Sequence, residues 1–287
     1  INSLAVVLSG ERYGELVDFF GGRMDIQRLE IRVLHSLSFI DDPTRALRAV
    51  RYARRLGFTI APDTRNLIST ALEEGVFERL SGQRLRRELE ALLAEPHPTP
   101  ALALVADLGL LEAICSGLKW SEEVRSYLME LEGQLAWYQL EQLGEPPGAS
   151  TLFLGGLALA AGAKAVEDLS ARLQLGGPTR ERFLALPGAV EALERTANDQ
   201  LSLSQRAKEI SEHPTEALLL AMSGLPLDAR RSLADAAAAA VQDVSVDHRG
   251  GDVLVAQELL DRADAVAASR RWVAQGVGGG APRAWFW

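Results

Sequence analysis

Residues 41–58 read Asp-Asp-Pro-Thr-Arg-Ala-Leu-Arg-Ala-Val-Arg-Tyr-Ala-Arg-Arg-Leu-Gly-Phe, and this stretch carries the clearest structural signal in the chain. Asp42 is a favourable helix N-cap, and Pro43 suits the first helical position, where its missing N–H group costs nothing. Gly57 adopts without strain the left-handed conformation that terminates helices. The pattern therefore predicts a helix that begins after Asp42 and ends at Leu56.

The predicted helix has a basic face and an apolar face. At about 100° per residue, four arginines fall within about a third of its circumference: Arg45, Arg48, Arg51 and Arg55. Alanine, leucine and valine occupy the opposite side. Such a row of arginines is often a solvated surface. Here no glutamate is interleaved within the helix to neutralise it, which favours a role in binding phosphates or bases.

Helix-forming residues dominate the rest of the chain as well. Aromatic residues make up only 6% of the sequence, whereas alanine and leucine are abundant, and this balance favours helices over sheets. Cap and turn residues predict helices over residues 62–75, 81–95, 99–109, 121–143, 150–161, 165–175, 179–186, 189–197, 202–211, 227–241 and 255–273. Residues 2–8 and 30–34 are predicted to be extended, and the first of these is expected to belong to a sheet whose other strands are absent.

The composition indicates a cytoplasmic protein whose charge is unevenly spread along the chain. Cys115 is the only cysteine, so no internal disulfide is possible, and no apolar stretch is long enough to span a bilayer. The net charge of −9 argues against binding nucleic acid over the whole surface. Residues 1–97 nevertheless contain 14 arginines and 14 acidic residues, a net charge of zero, and all of their basic residues are arginine. Any site for phosphates or bases is therefore expected in this first third.

The sequence around the helix resembles a known family. Residues 31–51 closely resemble the neck motif of class II tRNA nucleotidyltransferases and bacterial poly(A) polymerases, in which the pattern is Glu-Asp-x-x-Arg-x-x-Arg. Residues 18–25 resemble the loop between the catalytic head and the neck, and residues 1–5 resemble the end of the head. Residues 81–89, Ser-Gly-Gln-Arg-Leu-Arg-Arg-Glu-Leu, resemble the next neck motif. The resemblance covers roughly residues 1–115.

The resemblance implies a mainly α, elongated fold of neck, body and tail, with a short residual β segment at the N-terminus. Residues 1–35 would be a remnant of the catalytic head and its connection. Residues 36–115 would form the neck, with the nucleotide-selecting helix and an RNA-binding surface, and residues 116–287 the helical body and tail. The implied activity is the addition of C and/or A to the 3′ end of tRNA, with CTP and ATP as substrates.

The resemblance also assigns roles to single residues. In the family, the residues at the positions of Asp42 and Arg45 form a protein template for the incoming base. A carboxylate accepts a hydrogen bond from the exocyclic amine of C or A, and a guanidinium donates to a ring nitrogen or a carbonyl. G and U present an acceptor to the carboxylate instead. Arg48 and Arg51 would support the template or contact the triphosphate.

Three further residues are expected to have supporting roles. Asp41 stands where the family usually has Glu, and its shorter side chain is expected to weaken a buttressing contact. Arg84 or Arg87 would brace the template helix or contact RNA phosphate. The alternative is that both arginines are solvated residues of an amphipathic helix.

The metal-binding motifs of the family are not found in this sequence. The head supplies a Gly-Ser-x-x-Arg loop and an Asp-x-Asp strand, which hold the phosphates and Mg²⁺, and neither pattern occurs here. No histidine or cysteine cluster has metal-ligand spacing. We therefore assign no catalytic residue and no metal ligand, and we expect that this chain alone adds no nucleotides.

Two alternatives to tRNA 3′-end addition stay open. A poly(A) polymerase of the same family ranks second, because such enzymes tend to have a basic C-terminal extension, whereas residues 98–287 hold 16 basic and 25 acidic residues. The third interpretation is a non-catalytic helical RNA-binding or scaffold protein that retains the neck. Residues 250–254, Gly-Gly-Asp-Val-Leu, resemble the family's tail element only faintly. The oligomeric state is left open.

Overall fold

A computed structural model describes residues 3–198 and 201–246 of the chain, with side chains up to residue 241. The chain divides into two units, Ile1–Val241 and Gln242–Trp287. Almost all of the second unit lies outside the described residues. The predicted helix at residues 255–273 and the motif at residues 250–254 fall there.

The described residues form fourteen helices and four short strands. In chain order these are β1 Leu4–Val6, β2 Leu16–Asp18, α1 Gly22–Arg28, β3 Glu30–Ile31, α2 Ser38–Asp41, α3 Thr44–Leu56, β4 Thr59–Ile60, α4 Pro62–Glu73, α5 Gly82–Leu93, α6 Pro98–Asp107, α7 Leu110–Ile114, α8 Glu122–Leu140, α9 Ala149–Ala161, α10 Ala163–Arg172, α11 Gly177–Asn198, α12 Leu203–Ser211, α13 Thr215–Gly224 and α14 Leu227–Val246. The predicted mainly α fold with a short β segment near the N-terminus is confirmed. None of the described helices has the length and apolar character needed to cross a membrane.

The strands form two small pairs. β1 runs antiparallel to β2, from Leu4 opposite Asp18 to Val6 opposite Leu16. β1 lies within the strand predicted at residues 2–8, and its pairing partner β2 belongs to the same chain. β3 runs parallel to β4, the two-residue strand that directly follows α3. This second pair ties the segment that leads into α2 to the segment that leaves α3.

Helix α3 begins and ends close to the predicted positions. Its first residue is Thr44, one position later than predicted, with Pro43 as the N-cap. The Asp42 carboxylate still accepts the Thr44 N–H at 3.1 Å, which is the capping interaction that the sequence indicates. Gly57 has a φ of 66°, and the N–H of Phe58 returns to a carbonyl of the last turn at 2.8 Å. The predicted terminator is confirmed.

Two long or buried helices differ from the sequence prediction. α11 continues through Pro187, where a break is predicted. Phe183 and Leu186 before the proline and Leu193 after it are buried, so packing along one face holds both halves in a single helix. α13 has no counterpart in the prediction because residues 217–223 are all buried, and a helix that is enclosed on every side lacks an amphipathic period. The short helices α1, α2 and α7 are likewise not predicted.

The apolar face of α3 lies in the core. Its alanine, leucine and valine side chains are at most 6% exposed: Ala46, Leu47, Ala49, Val50 and Ala53. These residues pack against α5 and α6. The predicted apolar face of this helix is therefore confirmed, and the packing fixes the direction in which the arginine face points.

Helix α5 begins in close contact with the end of α10. Gly82, the first residue of α5, is buried, and a Cβ atom there would lie 2.2 Å from the carbonyl oxygen of Arg172. The Arg172 guanidinium in turn donates to the carbonyls of Leu80 and Phe77, both at 2.9 Å. The backbone that leads into α5 and the last turn of α10 are thus held together with no room for a side chain at position 82.

We expect Gly82→Ala to lower the free energy of unfolding by about 1–3 kcal/mol, because the nearest obstructing atom, the carbonyl oxygen of Arg172, belongs to the backbone and cannot move aside cheaply. Gly188→Ala is the matched control, since Gly188 lies inside α11, is exposed and has open space around its Cβ position. The control is expected to raise stability by about 0.5–1 kcal/mol. Urea unfolding followed by circular dichroism measures both variants. Equal effects would contradict the tight contact at Gly82.

Candidate nucleotide-binding site

Asp42 lies in extended backbone between α2 and α3, with its side chain 28% exposed. One carboxylate oxygen, Oδ1, accepts three hydrogen bonds: from the Thr44 N–H at 3.1 Å, from the Thr44 hydroxyl at 2.6 Å and from Arg84 Nη2 at 2.9 Å. No donor within the described part of the chain bonds to the other oxygen, Oδ2. The carboxylate is thus fixed through one oxygen and keeps the other free to accept.

Arg45 lies on the same side of α3, about one turn further along. Its Nη1 atom donates to the hydroxyl oxygen of Ser38 at 3.0 Å and to the Ser38 carbonyl at 3.3 Å, and Ser38 itself is buried. The Nε and Nη2 atoms make no hydrogen bond to any residue that the structure describes. Together, Asp42 and Arg45 offer an acceptor and donors that are held in place but not used by the protein.

Arg48 and Arg51 share an acidic partner from another helix. Nη1 of Arg48 lies 3.9 Å from one carboxylate oxygen of Glu88, and Nη2 of Arg51 lies 3.8 Å from the other. Both separations are too long for hydrogen bonds, so the interactions are electrostatic and leave N–H donors available. The arginine face, which lacks acidic partners within α3, is therefore partly neutralised by α5.

The supporting residues divide into one that contacts the site and two that do not. Arg84, in the first turn of α5, reaches Asp42 although its own side chain is 54% exposed. The Arg87 side chain is exposed and makes no hydrogen bond or ion pair with the residues of the described ranges. Asp41 is also exposed, and its ion pair is a long one with His35, 4.0 Å between carboxylate and ring nitrogen.

Three residues that hold the site are not singled out by the sequence. Thr44 fixes Asp42 and Ser38 fixes Arg45, and both belong to the motif around α3. The sequence feature that could have identified them is a serine or threonine close in sequence to each template residue: Thr44 near Asp42 and Ser38 near Arg45. Glu88 belongs to the second motif, but only the packing of α5 on α3 shows that it faces the arginines.

The loop that resembles the head-to-neck connection is held by several polar contacts. Asp18 accepts three backbone N–H groups around the first turn of α1, at distances from 2.8 to 3.3 Å. These bonds, of which that from the Arg23 N–H has the largest effect, hold the pKa of the Asp18 carboxyl below its ordinary value. Arg32 makes a two-point ion pair with the buried Asp25, with both contacts at 2.9 Å. These contacts hold residues 18–32 in one conformation.

A known family model matches the part of the chain that follows α3. Residues 57–120 fit the family model described as the probable RNA- and SrmB-binding site of polymerase A. The matched stretch contains α4, α5 and α6, and with them Arg84, Arg87 and Glu88. Helix α3 immediately precedes it.

Two relatives are A-adding tRNA nucleotidyltransferases. That of Geobacter sulfurreducens is 43% identical over 145 residues, which is 50% of this chain and 16% of the relative. That of Aquifex aeolicus is 38% identical over 141 residues, which is 49% of this chain and 17% of the relative. The match thus spans about a sixth of the length of each relative.

A solved structure has the same fold. A CCA-adding enzyme in complex with ATP superimposes with a TM-score of 0.73 at 23% identity, over 93% of this chain and 64% of that chain. At this identity the likeness shows the fold alone. The sequence matches go further: over the part of the chain that they cover, they support a likeness to the class II family of CCA-adding enzymes and poly(A) polymerases.

Proposed function

We propose that this chain carries the nucleotide-selecting and RNA-binding parts of an enzyme that adds nucleotides, A in particular, to the 3′ end of tRNA. The observation that carries the proposal is the pair of unused groups on α3, Oδ2 of Asp42 and the remaining donors of Arg45. The Geobacter and Aquifex relatives are A-adding tRNA nucleotidyltransferases, which supports ATP as the nucleotide and tRNA as the partner. CTP is the second substrate if C is added as well.

The two unused groups have the polarity that adenine and cytosine require. Each of these bases presents an exocyclic amine, which donates, next to a ring nitrogen, which accepts. Asp42 would accept from the amine while Arg45 donates to the ring nitrogen. Guanine and uracil present a carbonyl oxygen and a ring N–H in the same places, so both contacts would become repulsive. Rejection of a base that leaves polar groups unpaired is of order several kcal/mol.

The anchors of these side chains would make base selection strict. Thr44 and Arg84 hold Oδ1 of Asp42, and Ser38 holds Nη1 of Arg45. Side chains that are already fixed lose little rotamer freedom when a nucleotide binds, so more of the interaction energy appears as affinity and selectivity. We assign the unused donors of Arg48 and Arg51 to support of this template or to the triphosphate.

We expect Asp42→Asn to weaken ATP binding and to reduce the preference for ATP over GTP. The asparagine keeps an oxygen for Thr44 and Arg84 but presents an NH₂ group in place of Oδ2, where the adenine amine would meet a second donor. One such mismatch costs about 1–3 kcal/mol, roughly 5- to 150-fold in Kd. Isothermal titration calorimetry with ATP and GTP measures both quantities.

The control for this variant is Arg125→Ala, which removes an exposed arginine from α8. It is expected to leave ATP affinity and selectivity unchanged. An Asp42→Asn protein that keeps the full preference for ATP over GTP would refute the template.

Arg84→Ala separates the two roles considered for Arg84. We expect ATP affinity to fall about two- to fivefold, the scale of an exposed ion pair, because Nη2 lies 2.9 Å from Oδ1 of Asp42. Arg84→Lys should restore part of the loss. Arg87→Ala, from the same helix but without contact to Asp42, is the matched control. Weaker binding of labelled tRNA with unchanged ATP affinity would instead assign Arg84 to RNA phosphate.

Nucleotide transfer itself requires groups that the described residues do not provide. Reactions of this kind use divalent metal ions held by carboxylates. Among the described side chains, which extend to residue 241, no three acidic, histidine or cysteine groups lie close enough together to hold an ion. Asp42 is moreover bound to Thr44 and Arg84 through Oδ1. These residues do not fit a Mg²⁺ site, so we assign them no step that involves the metal, and we attribute Mg²⁺ binding to the head of the family's enzymes.

We expect the 287-residue chain alone not to extend tRNA, because its sequence contains neither Asp-x-Asp nor Gly-Ser-x-x-Arg. With radiolabelled ATP, Mg²⁺ and a tRNA that lacks its terminal A, incorporation should stay at background. A CCA-adding enzyme under the same conditions is the positive control. Extension of the tRNA by this chain would overturn the assignment of the metal to a head.

Exposed apolar side chains near the start of the chain support the proposal that residues 1–35 adjoin a head. Leu8, Tyr13 and Phe19 are all largely exposed. Apolar side chains gathered on one part of a protein surface commonly mark an interaction site. On this basis we retain the division into residues 1–35 as head connection, 36–115 as neck and 116–287 as body and tail.

A poly(A) polymerase is the second candidate. The observation that favours it is the family model over residues 57–120, which is described for polymerase A. The A-adding relatives and the acidic charge of residues 98–287 favour tRNA, and we rank the polymerase second. A non-catalytic RNA-binding or scaffold protein would show an ATP affinity that is indifferent to Asp42→Asn.

A further inference from the structure

A pocket at the C-terminal end of α3 lies away from Asp42 and Arg45 but includes Arg51, for which it offers a more specific role than support of the template. Its volume is about 490 Å³, within the range of roughly 300–1,000 Å³ that is usual for ligand sites. The end of α3, the end of α5 and the start of α6 line it, and the charged lining residues are Arg51, Arg54, Arg55, Glu95 and His97. At 1.5 Å per residue, Arg54 lies about 14 Å along the helix from Arg45.

Part of the charge in this pocket is already paired. Arg55 and Glu95 form a two-point ion pair, with Nε and Nη2 each 3.0 Å from a carboxylate oxygen. His97 lies on the rim with its Nδ1 atom 3.1 Å from a carboxylate oxygen of Glu132. The Arg55–Glu95 pair contributes no net charge to the pocket. Glu95 is the acidic group that an anion in the pocket would meet.

The other two arginines keep unused donors. The Arg54 side chain is exposed and makes no hydrogen bond or ion pair with any residue in the described ranges. The Nε atom of Arg51 is buried and has no acceptor there, and its ion-pair partner Glu88 is 3.8 Å away from Nη2. A basic residue in the last turn of a helix interacts favourably with the helix dipole, which accounts for the presence of Arg54. The helix dipole does not, however, provide an acceptor for the buried Nε–H group of Arg51.

We propose that this pocket binds a phosphate group. Guanidinium groups bind phosphate through charge-assisted N–H donors, and two guanidiniums with donors to spare border one cavity here. The source of the phosphate rests on the proposed function: it is a phosphodiester of the RNA strand or the pyrophosphate end of a nucleotide. Both present the same oxygens to Arg51 and Arg54.

The test compares Arg54→Ala with the unchanged 287-residue chain. A labelled single-stranded RNA oligonucleotide, measured by fluorescence anisotropy at several KCl concentrations, should bind about fivefold more weakly. Loss of one phosphate contact should also reduce the slope of log K against log salt by about 0.7. Arg54→Lys should restore the slope. Arg125→Ala, which removes the same charge from the surface of α8, should change neither quantity.

Inorganic pyrophosphate distinguishes the two sources. Weaker binding of RNA with unchanged pyrophosphate affinity assigns the pocket to the RNA strand, and the reverse assigns it to the nucleotide. Glu95→Gln should tighten binding of whichever ligand is held, since it removes the acidic group that lines the pocket. A variant with damaged folding would not bind more tightly.

The proposal is overturned if Arg54→Ala affects both ligands no more than Arg125→Ala does. Its failure is distinct from failure of the proposed function, because the readouts are separate. A normal ATP preference in Asp42→Asn together with weaker RNA binding in Arg54→Ala would remove the template and leave the pocket. The opposite combination would leave the template and remove the pocket.

Discussion

Helix α3 buries its alanine, leucine and valine side chains against α5 and α6, and this packing decides where every polar group of the site lies. Once the apolar face is fixed, the arginines point away from the core, and α5 brings Arg84 to Asp42 and Glu88 to the two arginines that follow. The burial is non-directional, whereas the polar contacts are directional and add specificity to an arrangement that packing has already set. Exposed ion pairs alone would not hold the two helices together.

Features that depend on one helix can be predicted from the sequence. The cap at Asp42, the terminator at Gly57 and the apolar face between them follow from residue types and a period of 3.6, and the structure has all three. The same reasoning finds α5, because Ser81 accepts the Arg84 N–H and so caps it. Local chemistry is sufficient for such elements, since the groups that interact are three or four residues apart.

Features that depend on two helices are not visible in the same way. The lack of acidic residues within α3 suggests free arginines, but Glu88 of α5 and Glu95, two residues after the end of α5, meet three of them. Likewise α13 is enclosed on all sides and shows no period, and α11 passes through Pro187 because packing outweighs the local preference for a break. The resemblance to a family locates the template residues, but it does not show that Asp42 is held by one oxygen and Arg45 by one nitrogen.

The absence of a side chain at Gly82 has a mechanical consequence. Arg84, which holds Asp42, follows Gly82 by two residues on a helix of 12 residues, and Gly82 rests directly on the backbone of α10. A shift of α10 toward α5 would force atoms to overlap, and a shift away would break the two bonds from Arg172 to the Leu80 and Phe77 carbonyls. The contact between the start of α5 and the end of α10 therefore allows little movement in either direction. A displacement of α10 would be passed by backbone contact to the first turn of α5, and from there by the Arg84 side chain to the carboxylate at the start of α3.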